Sequence, residues 1–202
     1  MPITCPKFIL AGLACSGLAF AAEPMVPALH LGVSEAQGDF RNEMGSKHAL
    51  DAALSLSIPL TRTLALRPLV AFQSFTTLEN QYSYKSTRYS DLGSESRRWS
   101  AWTFGADCLY RPNGPQGRLY FLAGAAMKVW RLHGFGTYST SDRVNATRVY
   151  KVDDTSTKNE PALAMGLGYT LHRRISLESR MVLGSYRGLS YNTLQAAVVL
   201  SY

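Results

Sequence analysis

The chain is poor in cysteine, and what it has is badly placed for chemistry. Its 202 residues hold three, Cys5, Cys15 and Cys108. Two lie in an N-terminal segment with the marks of a leader, so Cys108 stands alone downstream. A single thiol forms no internal disulfide, and no cysteine or histidine spacing suits a metal. A glycine-rich nucleotide loop is missing as well. Long apolar runs are scarce: only Phe8 to Phe20 qualifies, and a helical span needs roughly 20 residues. Nothing after Ala21 would cross a bilayer as a helix, so any insertion must use strands. Linkers, low-complexity tracts and fixed-period repeats are lacking too. The remaining 180 or so residues suit one domain. Charged residues make up only 17% of the chain, and 21 basic against 14 acidic side chains give +7. That modest excess suits lipid phosphates or ordinary solubility charge. No nucleic-acid partner, cofactor, metal or catalytic group is expected.

What is there begins with an export signal. Lys7 precedes the apolar run, and Ala19-Phe20-Ala21 fits a small-x-small cleavage site. Residues 1–21 therefore read as a signal peptide and 22–202 as the mature domain. A cut after Ala22, or a lipidated Cys15, stays open.

At the other end, Asn192 to Tyr202 alternates. Leu194, Ala196, Val198, Leu200 and Tyr202 share one parity; Gln195, Ala197, Val199 and Ser201 share the other. Successive strand side chains point to opposite faces. An exposed apolar edge strand invites aggregation, whereas a closed barrel in a bilayer has no edge. Tyr202 is the expected C-terminal assembly signal, read by the outer-membrane assembly machinery.

Similar alternation recurs at Ala28–Ser34, His48–Leu60, Leu64–Phe75, Trp99–Arg111, Arg118–Trp130, Ala162–Leu171 and Ile175–Tyr186. Pro68 suggests a bulge. With the last segment that makes about eight strands of roughly ten residues, the length a tilted bilayer-spanning strand needs. Tight connections at Thr61–Thr63, Pro112–Gly117 and His172–Arg174 alternate with longer polar segments, chiefly Thr76–Arg98 and Arg131–Glu160. The expected fold is all-β: an eight-stranded antiparallel up-and-down transmembrane β-barrel, with both termini on the periplasmic side.

The majority face of these strands is Leu, Val, Phe, Met and Tyr, which suits lipid. Trp99, Trp102, Trp130 and Tyr186 are expected in an outer aromatic girdle, and Tyr110, Tyr169 and Tyr202 in an inner one. The minority face carries His30, Asp51, Arg67, Gln73, Asp107, Lys128, Glu178 and Arg180. An eight-stranded barrel is only just wide enough for packed side chains. These charges are expected to fill it as a network, with Arg67, Asp107, Glu178 and Arg180 at lower to middle depth. Asp51 and Lys128 belong nearer the outer end. A narrow gated pore is the competing reading of the same residues.

Several stretches carry a family likeness: Tyr120-Phe121-Leu122-Ala123-Gly124-Ala125-Ala126, Met165-Gly166-Leu167-Gly168-Tyr169, Ile175 to Arg180, and Val198-Val199-Leu200-Ser201-Tyr202. Through them the mature chain resembles the bacterial outer-membrane β-barrel superfamily that includes the OmpA transmembrane domain and opacity-type surface proteins. The resemblance implies an outer-membrane protein surrounded by membrane lipids and lipopolysaccharide. It further implies a structural or adhesin-like surface antigen that meets a host or surface ligand through its loops. Tyr82, Tyr84, Tyr89, Lys85, Arg88, Arg97 and Arg98 fill the first long segment; Tyr138, Arg143, Arg148, Tyr150 and Lys151 fill the second. Such residues are common in binding surfaces. A lipid A-modifying enzyme is the alternative, but none of His30, His48, His133 and His172 stands beside a suitable serine on a lipid-facing position. Cys108 reads as a small apolar residue on the lipid face.

Overall fold

The computed structural model describes residues 24–44, 48–75, 78–85, 89–142, 147–186 and 189–202. The proposed signal peptide, 1–21, lies outside them. The described chain forms β1 (Val26–Gln37), α1 (Asp39–Met44), β2 (His48–Pro59), β3 (Leu64–Phe75), β4 (Leu78–Lys85), β5 (Tyr89–Tyr110), β6 (Leu119–Asp142), β7 (Arg148–His172), β8 (Ile175–Tyr186), β9 (Leu189–Ser190) and β10 (Asn192–Ser201). A single 3-10 turn, Gly114–Gln116, sits between β5 and β6.

Eight of these strands form a ring in the order β1-β2-β3-β5-β6-β7-β8-β10, every neighbour antiparallel. It closes because β10 pairs on both edges, with β1 from Ala28↔Ser201 to Gln37↔Asn192 and with β8 from Thr193↔Val182 to Leu200↔Ile175. Closure leaves no open edge within the ring, which is what a strand needs in hydrocarbon, where unpaired backbone groups find no water. The outer wall is correspondingly apolar. Leu31, Leu50, Leu54, Val70, Phe104, Phe121, Met127, Leu163, Leu167, Leu177 and Val198 all point outward and are well exposed. Exposure of so many large apolar side chains round a closed ring suits lipid rather than water. The protein is a transmembrane β-barrel.

The ring differs from the sequence expectation in its height. Thr76–Arg98 and Arg131–Glu160, expected as polar connecting segments, are largely strand. β5 and β6 pair without interruption from Tyr110↔Phe121 to Tyr89↔Asp142. β6 and β7 continue likewise from Leu119↔Tyr169 to Thr140↔Arg148. β4 prolongs the line of β3 and pairs with the upper part of β5, Leu78↔Arg97 to Lys85↔Ser90. Apolar alternation stops where lipid stops, but the hydrogen-bond ladder does not. Once a strand is paired, the next residues extend it at little entropic cost, and their Thr, Tyr and Val content favours extended backbone. The 24 residues of β6 far exceed the roughly 9–11 that a bilayer requires. A four-stranded sheet, β4-β5-β6-β7, thus stands beyond the rim.

Three smaller corrections follow. The first strand runs to Gln37, and the polar stretch after it holds the short helix α1. Pro68 makes no bulge: β2–β3 partners stop at Ser55↔Leu69 and resume at Ile58↔Leu66 with the register unchanged. Proline has no N–H to donate, so the ladder skips two pairs, Leu56 with Pro68 and Ser57 with Arg67, instead of shifting. The irregularity lies between Thr170 and His172, beside the tight turn into β8.

Candidate functional site

Two regions carry polar chemistry: the lumen and the sheet beyond the rim. The lumen is stacked in layers. Nearest the tight-turn end, Tyr120, Leu109 and Leu122 pack together with Ala65 beside them. Tyr120 fits because residue 168 on the next strand is glycine. A Cβ there would stand 2.2 Å from the Tyr120 ring.

Above this layer the barrel buries four charges. The β3–β5 register sets Arg67 opposite Asp107. Nη2 of Arg67 donates to Asp107 Oδ2 at 3.0 Å and to Glu178 Oε2 at 3.0 Å, and Nη1 donates to Glu178 Oε1. Arg180 Nη2 donates to the other Asp107 oxygen at 3.2 Å. The Tyr120 hydroxyl donates to Glu178 Oε1 at 2.7 Å. His30 lies beside them, its Nε2 2.8 Å from Ser55 Oγ and its Nδ1 3.7 Å from Glu178. Two cations and two anions leave the cluster neutral, with each carboxylate held by at least two donors. That is how a charge survives burial.

Asp51 and Lys128 lie apart from the four. Asp51 Oδ2 accepts from Ser34 Oγ at 2.5 Å and from Gln73 Nε2 at 3.2 Å. Lys128, fully buried, donates to Thr193 Oγ1 at 3.4 Å, and its Nζ stands 4.7 Å from the centre of the Trp130 ring. The ring face attracts the ammonium, and Trp130 Nε1 donates to Glu160 at 3.0 Å.

The outer mouth is closed by a cork that no alternation or motif in the sequence announces. Phe40, on α1, is wholly buried in a box of Phe75, Trp99, Trp130 and Tyr191. Its ring centroid lies 4.7 Å from Trp130, 4.8 Å from Tyr191 and 5.5 Å from Phe75. The helix is tied to the neighbouring strand, just past the last β1–β10 pair, Gln37↔Asn192: Asp39 Oδ2 accepts from Ser190 N at 3.0 Å and from Ser190 Oγ at 3.1 Å. The turn into α1 needs the left-handed φ of +63° at Gly38. Trp99 and Trp130, expected in the lipid girdle, face inward instead. Their parity agrees, since Trp130 falls two residues after Lys128 and Trp99 two before Ala101, both inward. Trp102 does face lipid, 4.9 Å from Phe72 and 6.4 Å from Phe104. Tyr110, Tyr169 and Tyr202 are exposed at the tight-turn end; the side chain of Tyr186 lies outside the described ones.

On the sheet beyond the rim, the outward face is hydroxyl-rich. Ser94 Oγ and Thr137 Oγ1 are 3.3 Å apart, and Ser139 donates to the Leu92 carbonyl at 3.1 Å. His133 Nε2 lies 2.9 Å from Asp153, in the open. Arg97 grips Glu95 through two bonds, 2.7 and 3.1 Å, and Tyr138 meets Tyr150 with centroids 6.1 Å apart. Lys85, Arg88, Tyr82, Tyr84, Tyr89 and Arg143 have side chains outside the described ones. Cys108 is free and faces lipid. Among the described residues no group of three His, Cys, Asp or Glu could hold a metal.

No family model matches the chain, and no curated protein matches it in sequence. Solved structures do match in shape. Ail, the attachment invasion locus protein of Yersinia pestis, in complex with the heparin analogue sucrose octasulfate, aligns over 89% of this chain and 100% of its own. Its TM-score is 0.50 at 10% identity. The N-terminal β-barrel domain of Pseudomonas aeruginosa OprF covers 88% and 97% with a TM-score of 0.46 at 8% identity. Neisserial surface protein A covers 88% and 97% with 0.45 at 14%. At such identities the likeness is one of fold: this chain has the eight-stranded outer-membrane barrel architecture.

Proposed function

We propose that the protein is a non-enzymatic barrel of the bacterial outer membrane that presents its β4-β5-β6-β7 sheet outside the cell as an adhesin-like surface. The observation that carries this is the sheet itself. Four strands extended past the lipid belt make a rigid platform, and rigid scaffolds with polar faces are where binding residues collect. The 1–21 signal peptide would export the chain, leaving both termini periplasmic. Exposed Arg98 and Arg131, just above the outward Trp102, suit lipopolysaccharide phosphates. Exposed Arg148 and Lys151 suit an anionic surface ligand; the sulfated ligand on Ail supports that class. The filled lumen speaks against a conducting pore. A lipid A-modifying role would instead show as a mass shift in lipid A on expression.

Topology tests the proposal directly. A peptide tag inserted between Ser141 and Thr147 should be stained by antibody on intact cells. Staining only after permeabilisation would put the sheet inside and end the reading.

Tyr202 is proposed as the assembly signal. It closes an outward-facing row, well exposed, with its N–H donated to the Pro27 carbonyl at 3.0 Å. Tyr202→Asp should cut the surface yield severalfold, read by heat-modifiable gel mobility of membrane fractions. A normal yield counts against the signal.

A further inference from the structure

The tight-turn end of the barrel is not filled like the rest. It opens as a cup of about 710 Å³, walled by the three tight turns and the starts of their strands. Arg62, Arg111, Arg118, His172 and Arg173 line it, one or two from each turn, and among the described lining residues there is no Asp or Glu. Thr61, Thr63, Thr170 and Ser176 add hydroxyls. Leu64, Leu109 and Pro59 give it an apolar wall.

This differs from the layer above, where every charge has its counter-charge. Glu178, one layer deeper, is already held by Arg67 and Tyr120. Arg111 reaches into the cup from the end of β5, its guanidinium 5.5 Å from the centre of the Tyr120 ring. Its Nε is buried and without a hydrogen-bond partner, as are those of Arg67 and Arg180, but those two hold carboxylates and Arg111 holds none among the described residues. A buried donor left unmade is costly, and like charges gathered round one cavity repel. A barrel needing only to be filled would gain from an acid here, as it has at Asp107. Arginines placed round one mouth, Arg111 within it and Arg118 at its rim beside the Tyr169 hydroxyl, suit a phosphate-type oxyanion, which accepts several bonds at once. The volume is that of a small-molecule site.

We propose that this cup binds a small phosphate-bearing anion at the inner face of the membrane. The anion would sit between Arg111 and Arg118 and satisfy Arg111 Nε. Its source is either a soluble molecule entering the mouth or the headgroup of a surrounding phospholipid.

The test is calorimetric titration of inorganic pyrophosphate into the full barrel held in nanodiscs of a zwitterionic lipid. Saturable binding is expected, weakening as salt is raised. Arg111→Gln and Arg118→Gln should each lower affinity about tenfold, since each removes a charge-assisted fork. Arg41→Gln, on α1 at the far end, should leave it unchanged. Heat-modifiable mobility reports folding, and the fully exposed Arg118 variant carries the test if Arg111→Gln does not fold. Repeating the titration with an anionic phospholipid in the disc separates the sources. Lost pyrophosphate binding assigns the cup to headgroups; retained binding assigns it to a soluble anion. Absence of binding in the zwitterionic disc, or folded variants that bind like the parent, would overturn the proposal.

Discussion

Asp107→Ala should destabilise the barrel by about 3–5 kcal/mol, the usual consequence of stranding a buried charge. Asp107 is almost fully buried and divides its two oxygens between Arg67 and Arg180. Truncation leaves Arg180 without its carboxylate and Arg67 with Glu178 alone. The neutral cluster becomes a buried excess of one positive charge, in a lumen too narrow to hydrate it freely. Removing Arg67 as well restores neutrality, because Glu178 and Arg180 remain, two apart on the inward face of β8. Asp107→Ala should therefore cost less on an Arg67→Ala background than in the parent, with a coupling of about 1–3 kcal/mol. Urea unfolding of all four proteins in one lipid gives the number. Additive effects would mean that water in the lumen already screens the pair.

That pairing could be foreseen by counting outward from the turns, because strands joined by a tight turn keep fixed register. Arg67 and Asp107 share an inward parity and sit at equal depth on neighbouring staves. The same arithmetic explains the ring itself: His48 to Leu60 alternates because one face must meet lipid and the other the lumen. Parity also contains the inward turn of Trp99 and Trp130, against tryptophan's general preference for the membrane interface. The sheet beyond the rim was illegible for a different reason. Alternation of hydropathy reports two different environments, and above the membrane both faces meet water. Only backbone pairing continues there, and pairing leaves no hydropathy pattern. Phe40 had no signal at all, being one aromatic residue in a polar stretch. Its partners come from β3, β5, β6 and the segment before β10, so its place exists only once the ring has closed.

Phe40→Ala is expected to have the second large effect. Truncating a buried phenylalanine costs about 3–5 kcal/mol where the surroundings cannot collapse, and a closed ring of hydrogen-bonded strands collapses poorly. The loss should come with an optical signature. Of the three tryptophans, Trp99 and Trp130 line the box and Trp102 faces lipid. In a Trp102→Phe background, Phe40→Ala should therefore shift emission to the red and open it to iodide quenching from the outer side. Conductance is a separate matter. Beneath the cork lie the Asp51–Ser34–Gln73 bonds, buried Lys128, the four-charge cluster and the Tyr120 layer. Planar-bilayer recordings of Phe40→Ala should stay silent if those layers seal the lumen by themselves. Ohmic conductance in the variant but not the parent would make Phe40 the gate of a pore, and the surface-protein reading would yield to it. An unshifted emission spectrum would mean that the box holds together without its centre.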